Sequence, residues 1–200
     1  MKRFIVATKN KGKLGEIKEI LRDFPFEVIS MEEAGITKDI EESGTTFEEN
    51  AMIKAEEIFR ATGEMVMADD SGLEVDYLGG APGIYSSRFA GEGATDEEKN
   101  MKLLKLLEGV PFEKRSARFV CVIAVIFPDG QRFTVKGTCD GYIGFEPIGV
   151  NGFGYDPLFY LPEYNMTTAQ LEPELKNRIS HRGRALAKMV EELRLRQQGV

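Results

Sequence analysis

The sequence predicts an α/β protein built on a mixed β-sheet. Three observations carry that reading. Short β-rich apolar runs alternate with stretches of helical periodicity. Two capping-box patterns, Thr46-x-x-Glu49 and Thr95-x-x-Glu98, mark helix starts. In the second half, Pro128-Asp129-Gly130 separates two long strand-like runs, as the turn of a hairpin does.

Taken in order, residues 3–8 form a short β-rich run, and Leu14, Ile17, Ile20, Leu21 and Phe24 then recur at helical spacing. A second strand is expected at 27–30, followed by an acidic, glycine-containing loop at 39–46. The helix opened by Thr46 runs to about residue 62. Residues 65–68 read as a buried strand ending in the polar turn Asp69-Asp70-Ser71-Gly72, with strand resuming at 73–78. A turn-rich connector spans 79–83, and the helix capped at Thr95 carries Met101, Leu104 and Leu107 on its apolar stripe. The hairpin strands are 117–127 and 132–138, and another strand is expected at 141–146. The glycine- and proline-rich stretch 147–157 reads as a long functional loop. A last helix starts at the N-cap Ser180, passes through Leu186, Met189, Val190 and Leu193, and ends on Arg194 and Arg196, charges that suit a helix C-terminus.

Composition excludes several classes. The chain has 200 residues, with 26 Lys plus Arg against 33 Asp plus Glu, so the net charge is −7. A protein that coats nucleic acid needs a basic excess to neutralise phosphates, so that role is unlikely on charge grounds. The longest apolar run, 119–127, is nine residues, under half of the roughly 20 that a membrane-spanning helix requires. The N-terminus has no signal-peptide core, which places the chain in the cytoplasm. Cys121 and Cys139 show no Cys-x-x-Cys or Cys-His spacing, and His181 stands as the one histidine, so a disulfide framework, a zinc site and a His-based metal centre are not expected.

Five segments carry residues suited to chemistry. Thr8-Lys9-Asn10-Lys11-Gly12-Lys13 lies between a strand end and a helix start, where free backbone N–H groups and the helix dipole favour an anion. It lacks the Walker pattern, and a solvated basic turn fits it as well. Asp69 and Asp70 close a buried strand and Glu41-Glu42 lie in the acidic loop; a few carboxylates plus substrate phosphates are how Mg²⁺ is held. Gly152-Phe153-Gly154-Tyr155-Asp156 offers two glycines for close backbone approach and two aromatics able to stack on a base. Lys176, His181 and Arg182 supply donors around the start of the last helix.

Together these segments resemble the inosine/xanthosine triphosphate pyrophosphatase family, in five blocks that keep the same order over nearly the whole chain. The blocks are 7–13, 41–51, 68–73 with 79–88, 152–157 and 179–182. The resemblance implies an elongated mixed β-sheet flanked by helices, folded as one domain over 1–200 with two lobes and a central substrate cleft, and a homodimer in the cytoplasm. It implies Mg²⁺-dependent hydrolysis of ITP, dITP and XTP to the monophosphate and pyrophosphate, with a small-molecule nucleotide as substrate and neither nucleic acid nor membrane as partner. Residue by residue, it assigns Thr8, Lys9, Asn10, Lys11, Gly12, Lys13 and Lys54 to the triphosphate, and Ser71 to a further substrate contact. Glu41 or Glu42, with Asp69 and Asp70, would hold the metal, and Asp70 also takes the place of the general base. Phe153, Gly154, Tyr155, Asp156, Lys176, His181 and Arg182 would bind the base. A related pyrophosphatase family acting on pyrimidine or modified nucleotides, and a nucleotide sensor without turnover, are the rival readings.

Overall fold

The computed structural model describes residues 2–9 and 11–198. Strand β1 (Lys2–Val6), helix α1 (Lys11–Ile20), β2 (Phe26–Ser30), α2 (Phe47–Thr62) and β3 (Met65–Val75) come first. Helix α3 (Asp96–Leu106), β4 (Ser116–Ile126) and β5 (Arg132–Ile143) follow, then β6 (Phe159–Leu161), β7 (Met166–Thr167), α4 (Pro173–Ile179) and α5 (His181–Gln198). The strands form one seven-stranded sheet in the order β2-β1-β3-β4-β5-β6-β7. β1 pairs in parallel with both β2 and β3, whereas β6 pairs antiparallel with β5 and β7, so the sheet is mixed as expected.

The chain divides into two compact units. The first comprises Met1–Asp70, Cys121–Lys136 and Ala185–Val200; the second comprises Ser71–Val120 and Gly137–Arg184. In the first, Phe4 and Val6 of β1, Met65 and Met67 of β3, and Cys121, Ile123 and Val125 of β4 pack against Ile17 of α1, Leu21 just after it, and Leu186, Met189 and Leu193 of α5. The period-2 spacing of the strand residues and the 3.6 spacing of the helical ones are what bring those faces together. The second unit has its own core, with Leu73, Val75, Phe119, Cys139, Ile143 and Phe159 against Leu103 and Leu107. Both cysteines are buried and neither is in a disulfide.

Several boundaries differ from the sequence reading. Asp69-Asp70-Ser71-Gly72 is not a turn: β3 runs through it without a break. The polar side chains remain in an extended strand because lysines from neighbouring helices meet them, as described below. Residues 132–143 form a single strand, so Asp140 does not interrupt it. On α3 the buried stripe is Asn100, Leu103 and Leu107, while Met101 is exposed, which rotates the helix by about one residue from the expected face. The Thr95–Glu98 capping box forms in full. At α2, Thr46 accepts from the Glu49 N–H, but the Glu49 carboxylate reaches back to Thr45 instead of Thr46. Helix α4 was not foreseen; Pro173 at its first turn was the available signal. Ser180 does cap α5, its hydroxyl accepting from the Gly183 N–H at 3.1 Å.

Candidate functional site

In the first unit, β1 and β3 run parallel with Val6 opposite Met67, and the Ala7 N–H donates to the Met67 carbonyl at 2.8 Å. The chain leaves β1 for β2 on one side and returns through α2 to β3 on the other. The end of β1 and the part of β3 that runs on past it therefore flank a reversal of strand order, the place where α/β sheets bind ligands. Residues 7–9 lie at the end of β1, and Asp69 and Asp70 lie just beyond the paired stretch of β3. A pocket of about 330 Å³ opens here, with Thr8, Lys9, Lys13, Glu42, Lys54 and Asp69 among its lining residues.

Helix α1 starts at Lys11, so Lys13 sits in its first turn and not in the preceding loop. That turn holds no acidic residue, while the first turns of α2 and α3 are acidic. A cation at a helix N-terminus opposes the dipole, so α1 concentrates positive potential where an anion would be favoured. Consecutive side chains of an extended strand leave on opposite sides, which lets neighbouring aspartates reach different lysines. Asp69 accepts a 2.9 Å hydrogen bond from Lys13. Asp70, only 8% exposed, lies 3.7 Å from the Lys54 ammonium, which also donates to Glu42 at 2.8 Å. Burial alone would lower the Lys54 pKa, but the charges of Asp70, Glu42 and Asp69 and the Glu42 hydrogen bond outweigh it and hold the pKa above the ordinary lysine value. Lys54 is thus charged through the neutral range, and its contribution to stability fades only as pH rises past that ordinary value.

Of the two loop glutamates, Glu42 reaches this group; Glu41 is exposed and does not line the pocket. Lys9 forms an ion pair with Asp39, and Thr8 is buried at 9% exposure. Asn10 lies outside the described residues, and the backbone of Lys11 and Gly12 begins α1. Ser71 follows Asp70 on β3 and is partly buried. The donor set of Glu42, Asp69 and Asp70 is all carboxylate, hard oxygen that suits Mg²⁺. Among the described residues no group of three or more His, Cys, Asp or Glu is placed to hold a metal ion.

In the second unit, loop 144–158 carries the aromatic segment. Asp156, 4% exposed, braces it from inside: its carboxylate accepts from the Phe153 N–H at 2.9 Å, from the Thr168 hydroxyl at 2.9 Å and from Lys176. Tyr155 is also buried, and its hydroxyl donates to the Ser86 carbonyl at 2.8 Å. Burial, with the Asp96 charge, pushes its pKa above the ordinary tyrosine value. The ring of Tyr155 is therefore a support inside the unit and not a face on which a base could stack, contrary to the sequence reading of two stacking aromatics. Phe153 is the exposed one, at 58%, with the Lys176 ammonium 5.1 Å and the Arg182 guanidinium 5.8 Å from its ring centre. His181 stacks on Phe119 with ring centres 4.8 Å apart.

Two glycines are required by this packing. Gly152 has φ of +79°, and a Cβ there would lie 2.1 Å from the Asp156 carboxylate and 2.6 Å from the Lys176 ammonium. Gly152→Ala is expected to destabilise the protein by about 1–3 kcal/mol, read from the midpoint of denaturant unfolding. A Cβ at Gly183 would meet the Asn177 carbonyl at 1.8 Å, so glycine permits the tight α4–α5 corner that places His181 and Arg182. The sequence reading missed two residues that hold Gly154 from α3, Asp96 and Asn100. A polar residue on the buried stripe of an amphipathic helix was the signal for Asn100.

A mixed sheet with a lysine- and carboxylate-lined pocket at the ends of its parallel strands defines a class, the α/β proteins that hold anionic ligands at strand ends. Comparison with known proteins narrows that class. The model of the Ham1 family matches residues 4–192, and the chain belongs to this family. It is 53% identical to the dITP/XTP pyrophosphatase of Bacillus licheniformis over 94% of this chain and 96% of the relative. It is 51% identical to the dITP/XTP pyrophosphatase of Clostridium perfringens, over 97% and 98%. The solved structure of a HAM1 protein from Coxiella burnetii superimposes with a TM-score of 0.92 at 45% identity, over 96% of this chain and 98% of that one. The resemblance read from the five sequence blocks and the α/β fold expected with it both stand. No helix among the described residues is long and apolar enough to cross a membrane.

Proposed function

We propose that the chain hydrolyses the deaminated purine nucleotides dITP, ITP and XTP to the monophosphate and pyrophosphate, with Mg²⁺, and so removes them before they enter nucleic acid. The chain is a hydrolase acting on acid anhydrides, the class to which its pyrophosphatase relatives belong. The observation that carries the substrate reading is the pocket lined by Lys13, Lys54, Glu42 and Asp69 beside the end of β1, with Asp70 3.7 Å from the Lys54 ammonium.

Thr8, Lys9, the start of α1, Lys13 and Lys54 bind the triphosphate, exchanging their carboxylate partners for phosphate oxygens. Glu42 and Asp70 would hold Mg²⁺, with Asp69 beside them as the partner of Lys13. When bound, the ion would supply charge neutralisation and Lewis-acid polarisation of a phosphoryl oxygen. Asp70 takes a proton from the attacking water as its oxygen bonds to phosphorus; the anhydride bond between the α and β phosphates breaks, and pyrophosphate or the monophosphate leaves with that bond's electrons. Ser71, next along β3, contacts the same phosphates.

In the second unit, Phe153 stacks on the base, and Lys176, His181 and Arg182 face it with donors. Hypoxanthine and xanthine carry a 6-keto acceptor where adenine carries an amino donor, so a donor-lined site left unpaired by ATP rejects it strongly. Gly154, whose two backbone polar groups are bonded to α3, acts with Tyr155 and Asp156 by holding Phe153. The same reading makes 1–200 one catalytic domain, working as a homodimer in the cytoplasm on a small molecule, with neither nucleic acid nor membrane as partner.

The test is a panel of ITP, dITP, XTP, ATP, GTP, dTTP and UTP with and without Mg²⁺, separating pyrophosphate from orthophosphate. Metal-dependent release of pyrophosphate from the first three supports the reading. Preference for dTTP or UTP moves the chain to the pyrimidine-directed family, and binding without turnover makes it a sensor. Arg182→Ala is expected to narrow the ITP to ATP ratio of kcat/KM by about 10- to 100-fold; an unchanged ratio removes Arg182 from base recognition.

A further inference from the structure

Gly154 is held from outside its loop at both of its backbone polar groups. The Asp96 carboxylate accepts from its N–H at 2.6 Å, and the Asn100 amide donates to its carbonyl at 3.0 Å. Asp96 and Asn100 are four residues apart on α3, which puts them on one face of the helix one turn apart. The contact is buried on the Asn100 side, where the residue is 5% exposed and its own Oδ1 is buried with no hydrogen-bond partner among the described residues. Burying an amide that way is unfavourable, so the packing holds Asn100 where its one bond, to Gly154, is made. Lys99 fixes the other oxygen of Asp96 at 2.6 Å. Burial disfavours the Asp96 carboxylate, but Lys99 and the Gly154 N–H more than compensate and keep its pKa below the ordinary value, so the acceptor stays charged.

The residue before the clamped glycine is Phe153, the exposed ring flanked by Lys176 and Arg182. Asp156 ties the Phe153 N–H from within the loop, and α3 ties the peptide groups on the far side of the same residue. With both flanks anchored, the ring has little freedom to tilt relative to the two cations. We propose that Asp96 and Asn100 are positioning residues for base recognition: helix α3 sets the place of Phe153, and through it the discrimination among bases, without touching substrate. This rests on the reading of Phe153 as the base-stacking residue.

The experiment compares D96A, D96N, N100A and K99M in the full chain. Asparagine at 96 keeps an oxygen for the Gly154 N–H, whereas K99M removes the ion pair and leaves the clamp. D96A and N100A are expected to raise KM for ITP about tenfold and narrow its preference over GTP, with kcat within about twofold of wild type. D96N and K99M are expected to stay near wild type in both. Amide exchange across 152–156, measured without nucleotide, should speed up in D96A and N100A and not in D96N. If exchange accelerates while KM and base preference stay fixed, the positioning role is overturned and the nucleotide reading stands. If D96N and K99M fail as badly as D96A, the residues serve helix stability alone and the proposal falls. If wild type leaves ITP untouched, the base role fails with the functional reading, and the exchange data separate that outcome from a failure of the clamp.

Discussion

Asp70→Asn is expected to lower kcat for ITP by about 10² to 10⁴, in a protein that still folds. The substitution keeps the shape of a side chain that is 8% exposed and faces Lys54, but it removes the group able to take a proton from water. Glu42 continues to pair with Lys54, so the local fold keeps its second anchor. The measurement is steady-state turnover beside a thermal melt of the same preparation. A folded variant with near-normal kcat would remove Asp70 from the proton-transfer role.

Lys54→Met is expected to lower kcat/KM by about 10- to 100-fold, the loss of one charge-assisted hydrogen bond to phosphate, with Lys54→Arg recovering part of it. Lys54 pairs with Glu42 and lies 3.7 Å from Asp70, so removing it takes a shared cation from both carboxylates. Midpoint stability should therefore drop as well, and the arginine variant separates charge from shape. Kinetics that are unchanged in the methionine variant would place the triphosphate elsewhere.

How much of this was legible in the sequence depends on the range over which each feature is determined. The capped helices and the hairpin turn are set by residues within a few positions of one another, and periodicity and caps report them, whereas the parallel pairing of β1 with β2 and β3 joins residues far apart in the chain. The 69–72 segment was misread because an Asp-Asp-Ser-Gly run looks like a turn until lysines 13 and 54, from α1 and α2, are known to meet it. Tyr155 was read as a stacking face because it stands with Phe153 in a glycine-containing segment; in the fold its hydroxyl donates to the carbonyl of Ser86, far away in the chain. Asn100 could have been found as a polar residue in an apolar stripe, but the phase of α3 was itself off by one position, and that error placed Met101 where Asn100 belongs. Glu41 and Glu42 differ by nothing local, and only the reach of Lys54 tells them apart.

The most direct test of the central claim is a single-tube competition. Equal dITP and dGTP with Mg²⁺ are followed by ³¹P NMR, so that substrate loss and phosphorus-containing products are read together. The account predicts that dITP disappears first, giving dIMP and pyrophosphate in equal amounts while dGTP persists. Release of orthophosphate with dIDP, or equal consumption of the two nucleotides, would contradict it.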